Sequence, residues 1–229
     1  MFIAALSPDF RAAFALLALL AAQPALADTV PGNRAGAYAP RQECLISPAA
    51  RAFAATLRGA IVRRDARALA ELASDDVTLD FGGGAGKAEL RKRLSGADGA
   101  RLWRELEEAA SLGCAMREGN MIYPWFFAQQ LGDVDPFEAL LVTGPSVPLY
   151  RRAGSRTAPI ARLNWQLVIA RGVGPAPGAG KRSLRRVSVI GSRLQGYVAP
   201  ERLRSPLGYR LIVSRKGPGW RISAFVAGD

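Results

Sequence analysis

The hydrophobic positions of this chain change their period part-way along it. Before residue 137 they recur at helical spacing. Phe53, Leu57, Ala60 and Ile61 share one face of a segment opened by Ser47 as cap and Pro48 as first helical residue. That helix is predicted to end near Arg64, where Asp65 caps a second, short helix carrying Leu69 and Leu72. Val77, Leu79 and Phe81 then alternate with Thr78 and Asp80 as a half-buried strand does, with Asp75-Asp76 as the loop before it. A helix bearing Leu90 and Leu94 follows, and another from Ala100 to Ser111 places Leu102, Trp103, Leu106 and Ala110 on one side, with Gly113 to end it. Cys114 to Met116 and Met121 to Phe127 bracket Glu118-Gly119-Asn120 as a strand pair with its turn. Residues 47–136 are therefore predicted to form a mixed α+β domain, with Asp133 to Pro136 leading out of it.

From Phe137 to Ser205 no long helix can be drawn. Val147, Leu149, Ile160, Leu163, Val168, Val187, Val189, Tyr197 and Val198 fall in brief apolar runs separated by Gly, Pro and Arg, the pattern of short antiparallel strands. The prediction for 137–205 is a small all-β barrel with its loops left for function. Residues 206–229 alternate again: Tyr209, Leu211 and Val213, the turn Lys216-Gly217-Pro218-Gly219, then Trp220, Ile222, Ala224 and Val226, a terminal β-hairpin. It either extends the barrel or returns to the strand at Val77 to Phe81. The return is favoured, because an isolated hairpin is marginal and the first domain otherwise lacks strands. The fold class is α+β.

The start of the chain adds a compartment. Ala12 to Ala22 is an unbroken apolar run of 11 residues, preceded by Arg11 and followed by Ala25-Leu26-Ala27, which reads as a secretory signal over residues 1–27 cleaved before Asp28. The run is shorter than the ~20 residues that span a bilayer. The expectation is a periplasmic or secreted protein with no transmembrane segment after cleavage. Residues 28–46 show no periodicity and read as a loose leader. In an exported chain the two cysteines, Cys44 and Cys114, are candidates for a disulfide that would pin that leader.

Charge is divided unevenly. Residues 28–139 carry 14 Lys+Arg against 16 Asp+Glu, whereas residues 140–229 carry 16 Lys+Arg against Glu201 and Asp229 alone, a net +14. Arg151, Arg152 and Arg156, and then Lys181, Arg182, Arg185 and Arg186 beside the loop Gly172 to Lys181, read as an anion-binding surface, since the guanidinium fork holds phosphate or carboxylate. A solvated basic face, or one paired with the acidic first domain, is the alternative. Export argues against nucleic acid as the partner.

Catalytic chemistry is thin. With His 0 in the chain there is no Ser-His-Asp or Cys-His pair, two Cys make no zinc site, and no cofactor or metal set is expected. Gly82 to Lys87 has the look of a phosphate loop, but the Walker spacing needs Gly at Phe81 and Ser or Thr at Ala88. Asp75-Asp76, or Asp80 with Glu89, leave a glycan-processing enzyme as the alternative to a non-catalytic binding protein.

Certain motifs carry a resemblance. Val142-Thr-Gly-Pro-Ser-Val-Pro-Leu-Tyr-Arg151, Ala158-Pro-Ile-Ala-Arg-Leu163 and Gly196-Tyr-Val-Ala-Pro-Glu-Arg-Leu203 together resemble the bacterial SH3-like domain family. Asp80-Phe-Gly-Gly-Gly84, Asp135-Pro-Phe-Glu138 and the ending Trp220 to Asp229 look like an exported, uncharacterised bacterial family of SH3-like (SH3b) domain-containing proteins. The sequence departs from the pattern where Leu149-Tyr150 precedes Arg151 and where Gly172 to Lys181 replaces a Trp-bearing turn. The resemblance implies an SH3-like barrel with a groove lined by Tyr150 and Tyr197, flanked by Arg151 and Arg152. Trp165 is a third aromatic of the segment, and its place inside an apolar run makes core packing the alternative to a place in the groove. The partner it implies is a cell-envelope component, whether a peptidoglycan peptide, lipopolysaccharide or an anionic lipid surface, or an envelope protein.

Overall fold

The computed structural model describes residues 33–153, 158–171 and 184–228. The signal segment 1–27 and the start of the leader lie outside them. The order is α1 (Pro48–Val62), α2 (Ala66–Glu71), β1 (Ala73–Thr78), α3 (Lys87–Ser95), α4 (Gly99–Ser111), β2 (Ala115–Arg117), β3 (Asn120–Tyr123) and a 3-10 turn, Trp125–Ala128. Then come β4 (Ala139–Val142), β5 (Val147–Leu149), β6 (Ala161–Leu163), β7 (Leu167–Ala170), β8 (Arg185–Val189), β9 (Gln195–Val198), a 3-10 turn at Pro200–Arg202, β10 (Leu203–Arg204), β11 (Arg210–Lys216) and β12 (Gly219–Val226). The class is α+β.

The helices start where their caps say. Ser47 accepts from the Ala50 amide at 3.1 Å and Asp65 from the Ala68 amide at 2.9 Å, each satisfying one of the amides a helix start leaves free. Phe53, Leu57, Ala60 and Ile61 of α1 are buried, as are Leu102, Trp103 and Leu106 of α4. These faces pack on a five-stranded sheet of order β1-β12-β11-β3-β2. The terminal hairpin thus returns to the first module, and β12 lies inside that sheet, parallel to β1 and antiparallel to β11.

The expected strand at Val77 to Phe81 needs correction. β1 begins at Ala73, directly after α2, and takes in Asp75 and Asp76, both exposed; the register to β12 shifts between Ala73 and Thr78. Two adjacent Asp have low strand propensity, but pairing with β12 overrides it at a sheet edge, where both carboxylates stay in water. Leu79 then folds back, its amide donating to Gly84 O at 2.8 Å, and Phe81 is 61% exposed.

The second module holds a sheet of order β10-β4-β7-β8-β9 and a β5-β6 ribbon. Val142, Val147, Leu149, Leu163, Val168, Val187, Val189 and Val198 form its core. Among the described residues the sheet does not close into the expected barrel. The two residues of β10 leave one end open, and the ribbon joins β9 through a single pair, Tyr150 with Tyr197.

A seam fuses the two modules. Ala37, Tyr38, Leu112, Ala115, Trp125, Phe126, Leu141 and Leu167 make one buried cluster drawn from the leader and both sheets. The leader is not loose from Asn33 onward. The Asn33 side chain donates to Leu167 O at 3.0 Å and accepts from the Leu167 amide at 2.6 Å; Gly36 and Tyr38 donate to Asn164 O and Trp165 O at 2.6 and 3.0 Å. Past Tyr38 it turns to the first module. Gln42 bridges Cys114, a disulfide joins Cys44 to Cys114, and Arg41 passes so close over Gly113 that a Cβ there would meet Arg41 O at 2.3 Å. Hydrogen bonds outside any regular element tie this segment down, which periodicity cannot reveal.

Candidate binding surface

The pairing of three strands assembles a row of side chains on the outer face of the second module. In β9, Tyr197 lies opposite Arg186 of β8. On its other side Tyr197 exchanges both backbone hydrogen bonds with Tyr150, at 2.9 and 2.8 Å. Beyond Arg186 the ladder continues to Arg171, whose amide donates to Arg186 O at 3.0 Å. Residues directly opposite in a ladder project to the same face, so Tyr150, Tyr197, Arg186 and Arg171 run across it in sequence. The two tyrosines are half-buried and the two arginines exposed.

Arg186 and Arg171 are like charges set side by side, an arrangement that repels across a strand pair. Neither has a carboxylate within ion-pair distance among the described residues. Their hydrogen bonds are to neutral groups: Arg171 Nε donates to Ser188 Oγ at 2.9 Å, and Arg186 Nη2 to Gln195 Oε1 at 3.4 Å. Arg151 and Arg152 stand exposed just after Tyr150. Arg185 precedes Arg186 and, by strand alternation, faces the other way, opposite Val198. Arg156, Lys181 and Arg182 lie outside the described residues, as does the loop 172–183 apart from its flanks. Of the residues picked from sequence, the fold therefore brings Tyr150, Tyr197 and Arg186 together. Arg171 was missed; its signal was that it borders the Gly/Pro loop on the side opposite Arg185 and Arg186.

Trp165 has another role. It is half-buried against the seam cluster with φ +42, a left-handed conformation that costs a bulky residue about 1–3 kcal/mol. Its carbonyl receives the Tyr38 amide at 3.0 Å and its amide donates to Gly144 O at 3.2 Å, so the strained residue holds leader and ribbon together.

The acidic residues of the first module are committed elsewhere. Asp80 folds into the glycine turn, where Oδ1 accepts from the Gly82 and Gly84 amides, both at 2.8 Å, and Oδ2 meets Arg93 Nη2 at 2.6 Å. A Cβ on Gly84 would sit 2.1 Å from Asp80 Oδ2, so the glycine is there to let the chain wrap its own carboxylate rather than a phosphate. The Gly84 amide and then Arg93 hold Asp80 below the usual carboxylate range, and Arg93 does the same for Glu89 at 2.9 Å. Asp76 is lowered by the Ser74 hydroxyl, its own amide and Lys216; Asp75 pairs with Lys87 at 2.8 Å. A glycosidase acid needs its pKa raised, and here the shifts run downward. Among the described residues no group of three His, Cys, Asp or Glu side chains could hold a metal ion, and no helix is long and apolar enough to cross a membrane.

No family model and no curated protein matches the chain. Among solved structures it is similar to an NTF2-like protein with a cystatin-like fold from Novosphingobium aromaticivorans, at 13% identity over 78% of this chain and 77% of that one. The TM-score is 0.28, too low for the likeness to bear on either fold detail or function.

Proposed function

We propose that this is a non-catalytic, exported binding protein of the SH3-like-containing family its motifs resemble, and that its second module takes an anionic peptide or glycopeptide of the cell envelope. The observation that carries the reading is the pair of facing arginines, Arg171 and Arg186, with no acid among the described residues to neutralise them and two tyrosines continuing their row. A carboxylate or phosphate lying across both guanidinium groups relieves their repulsion and accepts charge-assisted hydrogen bonds from each. Tyr150 and Tyr197 offer flat, amphipathic surface beside it for the rest of a peptide. The short antiparallel strands, the splayed β5-β6 ribbon and the 3-10 turn before β10 support an SH3-like domain of partly open form. The downward pKa shifts of Asp76, Asp80 and Glu89 favour binding over glycan hydrolysis.

The test is co-sedimentation with purified peptidoglycan and with vesicles of anionic lipid. Salt is varied from roughly 0.1 to 1 M, over which the Debye length falls from about 10 to 3 Å. Binding to peptidoglycan is expected at low salt, weakening with salt and in the Arg171→Gln, Arg186→Gln double variant, without lysis in a turbidity assay. Retention of peptidoglycan by the double variant at every salt concentration would overturn the reading, as would lysis. Capture by vesicles alone would replace the peptide with a lipid surface.

A further inference from the structure

In the first module, two open cavities lie beside α1 and α4. One, of about 350 Å³, is walled by Leu45, Ala54, Leu57 and Ala110, with Tyr123 among its lining residues. The second, of about 380 Å³, continues along Ile61 and Val62. They share Arg58 and Ala110 and so form neighbouring ends of one trough. Each lies at the lower end of the roughly 300–1,000 Å³ range of small-molecule pockets. Small residues leave the space: Ala54 and Ala55 of α1 and Ala110 of α4 line it where larger side chains would fill it.

Among the described residues, two polar groups in this trough have no strong protein partner. Tyr123 is 4% exposed, and its hydroxyl reaches only Cys44 Sγ, at 3.5 Å; a disulfide sulfur is a weak acceptor. Arg58, at the junction of the cavities, has no carboxylate within ion-pair distance among the described residues. Glu107, the one acidic residue lining the trough, is taken by Arg64 at 3.0 Å. Arg51, two turns before Arg58 on the same helix face, adds a second cation at the rim and spends one donor on Leu45 O, at 3.1 Å. Val62, which lines the second cavity, is 73% exposed, and Ile46, next to Leu45 in the chain, is 70% exposed.

We infer that this trough binds a small anionic amphiphile, its carboxylate held by the Arg58 guanidinium and the Tyr123 hydroxyl and its apolar chain laid along Leu45, Ala54 and Leu57. An apolar channel with Arg58 at its junction, a buried donor in one arm and a second cation at the rim matches a single acid group on a hydrocarbon body. It matches neither a sugar, which needs many hydrogen bonds, nor a neutral oil, which leaves Arg58 and Tyr123 unused. Burial keeps the Tyr123 phenol protonated through neutral pH, so its hydroxyl is a donor to a bound carboxylate. This site is separate from the arginine row of the second module.

The probe is decanoate, titrated calorimetrically into the full chain, with acetate as the head alone and 1-octanol as an uncharged tail. Saturable binding of decanoate is expected at sub-millimolar concentration, with acetate and octanol far weaker. Arg58→Gln and Tyr123→Phe should each lower decanoate affinity about tenfold, the loss of one hydrogen bond to a charged group. Ala54→Leu should abolish binding by filling the cavity. Arg58 is exposed, so its variant tests the site without disturbing the core, and a thermal melt reports the folding of the other two. Arg186→Gln should leave decanoate affinity unchanged while weakening envelope binding, which separates the two sites. No heat with decanoate, equal affinity in Arg58→Gln, or loss of binding in Arg186→Gln would overturn the proposal.

Discussion

Tyr123 sits where three demands meet: it pairs with Leu211 in the first sheet, its ring is buried in the core, and its hydroxyl touches the disulfide. Burial pushes its pKa up to about 12 from an ordinary 10.0. A phenol raised in the folded state contributes stability that is intact below pH 10 and is lost as pH climbs through the folded value, because only the unfolded chain can ionise in that window. Over the two units the loss comes to about 2–3 kcal/mol. Urea denaturation between pH 9 and 12 should therefore show a steeper fall for the native chain than for Tyr123→Phe. Parallel curves for the two proteins would contradict the burial of this hydroxyl. The carboxylates run the other way, since the lowered Asp80 and Glu89 add stability above their unfolded values that disappears as acid protonates them.

At the scale of elements, the shortest strand carries a charged tie between modules. β10 has two residues, and one of them, Arg204, is buried with its guanidinium against α4: Nη1 meets Glu108 at 2.6 Å and Glu105 at 3.5 Å, and Nη2 donates to Tyr209 O at 2.6 Å. Its Nε has no hydrogen-bond partner, so the charge depends on those two glutamates. Changing Glu105 and Glu108 together to Gln should cost about 2–3 kcal/mol, less than for a wholly buried pair because the Glu108 side chain is 44% exposed. Adding Arg204→Met to that background should recover part of the loss. If the double Gln variant is as stable as the native chain, the contact contributes nothing. The sequence offered a basic face paired with the acidic first domain as an alternative, but nothing in it singled out Arg204 from the other cations of the basic half.

The helices were legible because their signals are local: Ser47 and Asp65 cap, and Phe53, Leu57 and Ile61 repeat within a few residues. The core of the second module was legible for a similar reason, since Val187, Val189 and Val198 alternate within short runs. What escaped depends on partners far along the chain. Asp75 and Asp76 become strand only because β12 lies beside them, and nothing near the leader in sequence announces the hold of Asn33 on Leu167, whereas the bridge from Cys44 to Cys114 was predicted from the chain's two cysteines. The binding row was visible in three of its four residues, Tyr150 and Tyr197 in a motif and Arg186 in a basic cluster. Its order came from the register of β7, β8 and β9, which no pattern of single residues specifies.

At the scale of the whole molecule, leader, disulfide and seam cluster make one body of two modules. The bridge spans 70 residues of sequence, worth on the order of 4 kcal/mol in the chain-entropy model. A rigid pairing suits the proposed roles, because the arginine row and the trough then stand in a fixed relation on different surfaces. The position of β12 governs how this body comes into being. Ala73 pairs with Ile222 and Tyr123 with Leu211, so the first module, though its helices come early, closes only through the last residues of the chain. The second module pairs mostly near neighbours, such as Ser188 with Gln195 and Val168 with Val189, whose loop-closure cost is smaller. Pulse-labelled hydrogen exchange during refolding of the oxidised chain should therefore find the amides of β7 to β9 protected before those of β1 and β12; simultaneous protection would contradict it. The chain is then assembled from its middle outward. The basic module is the first part to take shape, and the segment that precedes it waits, open, for the end of the chain to arrive between its own strands.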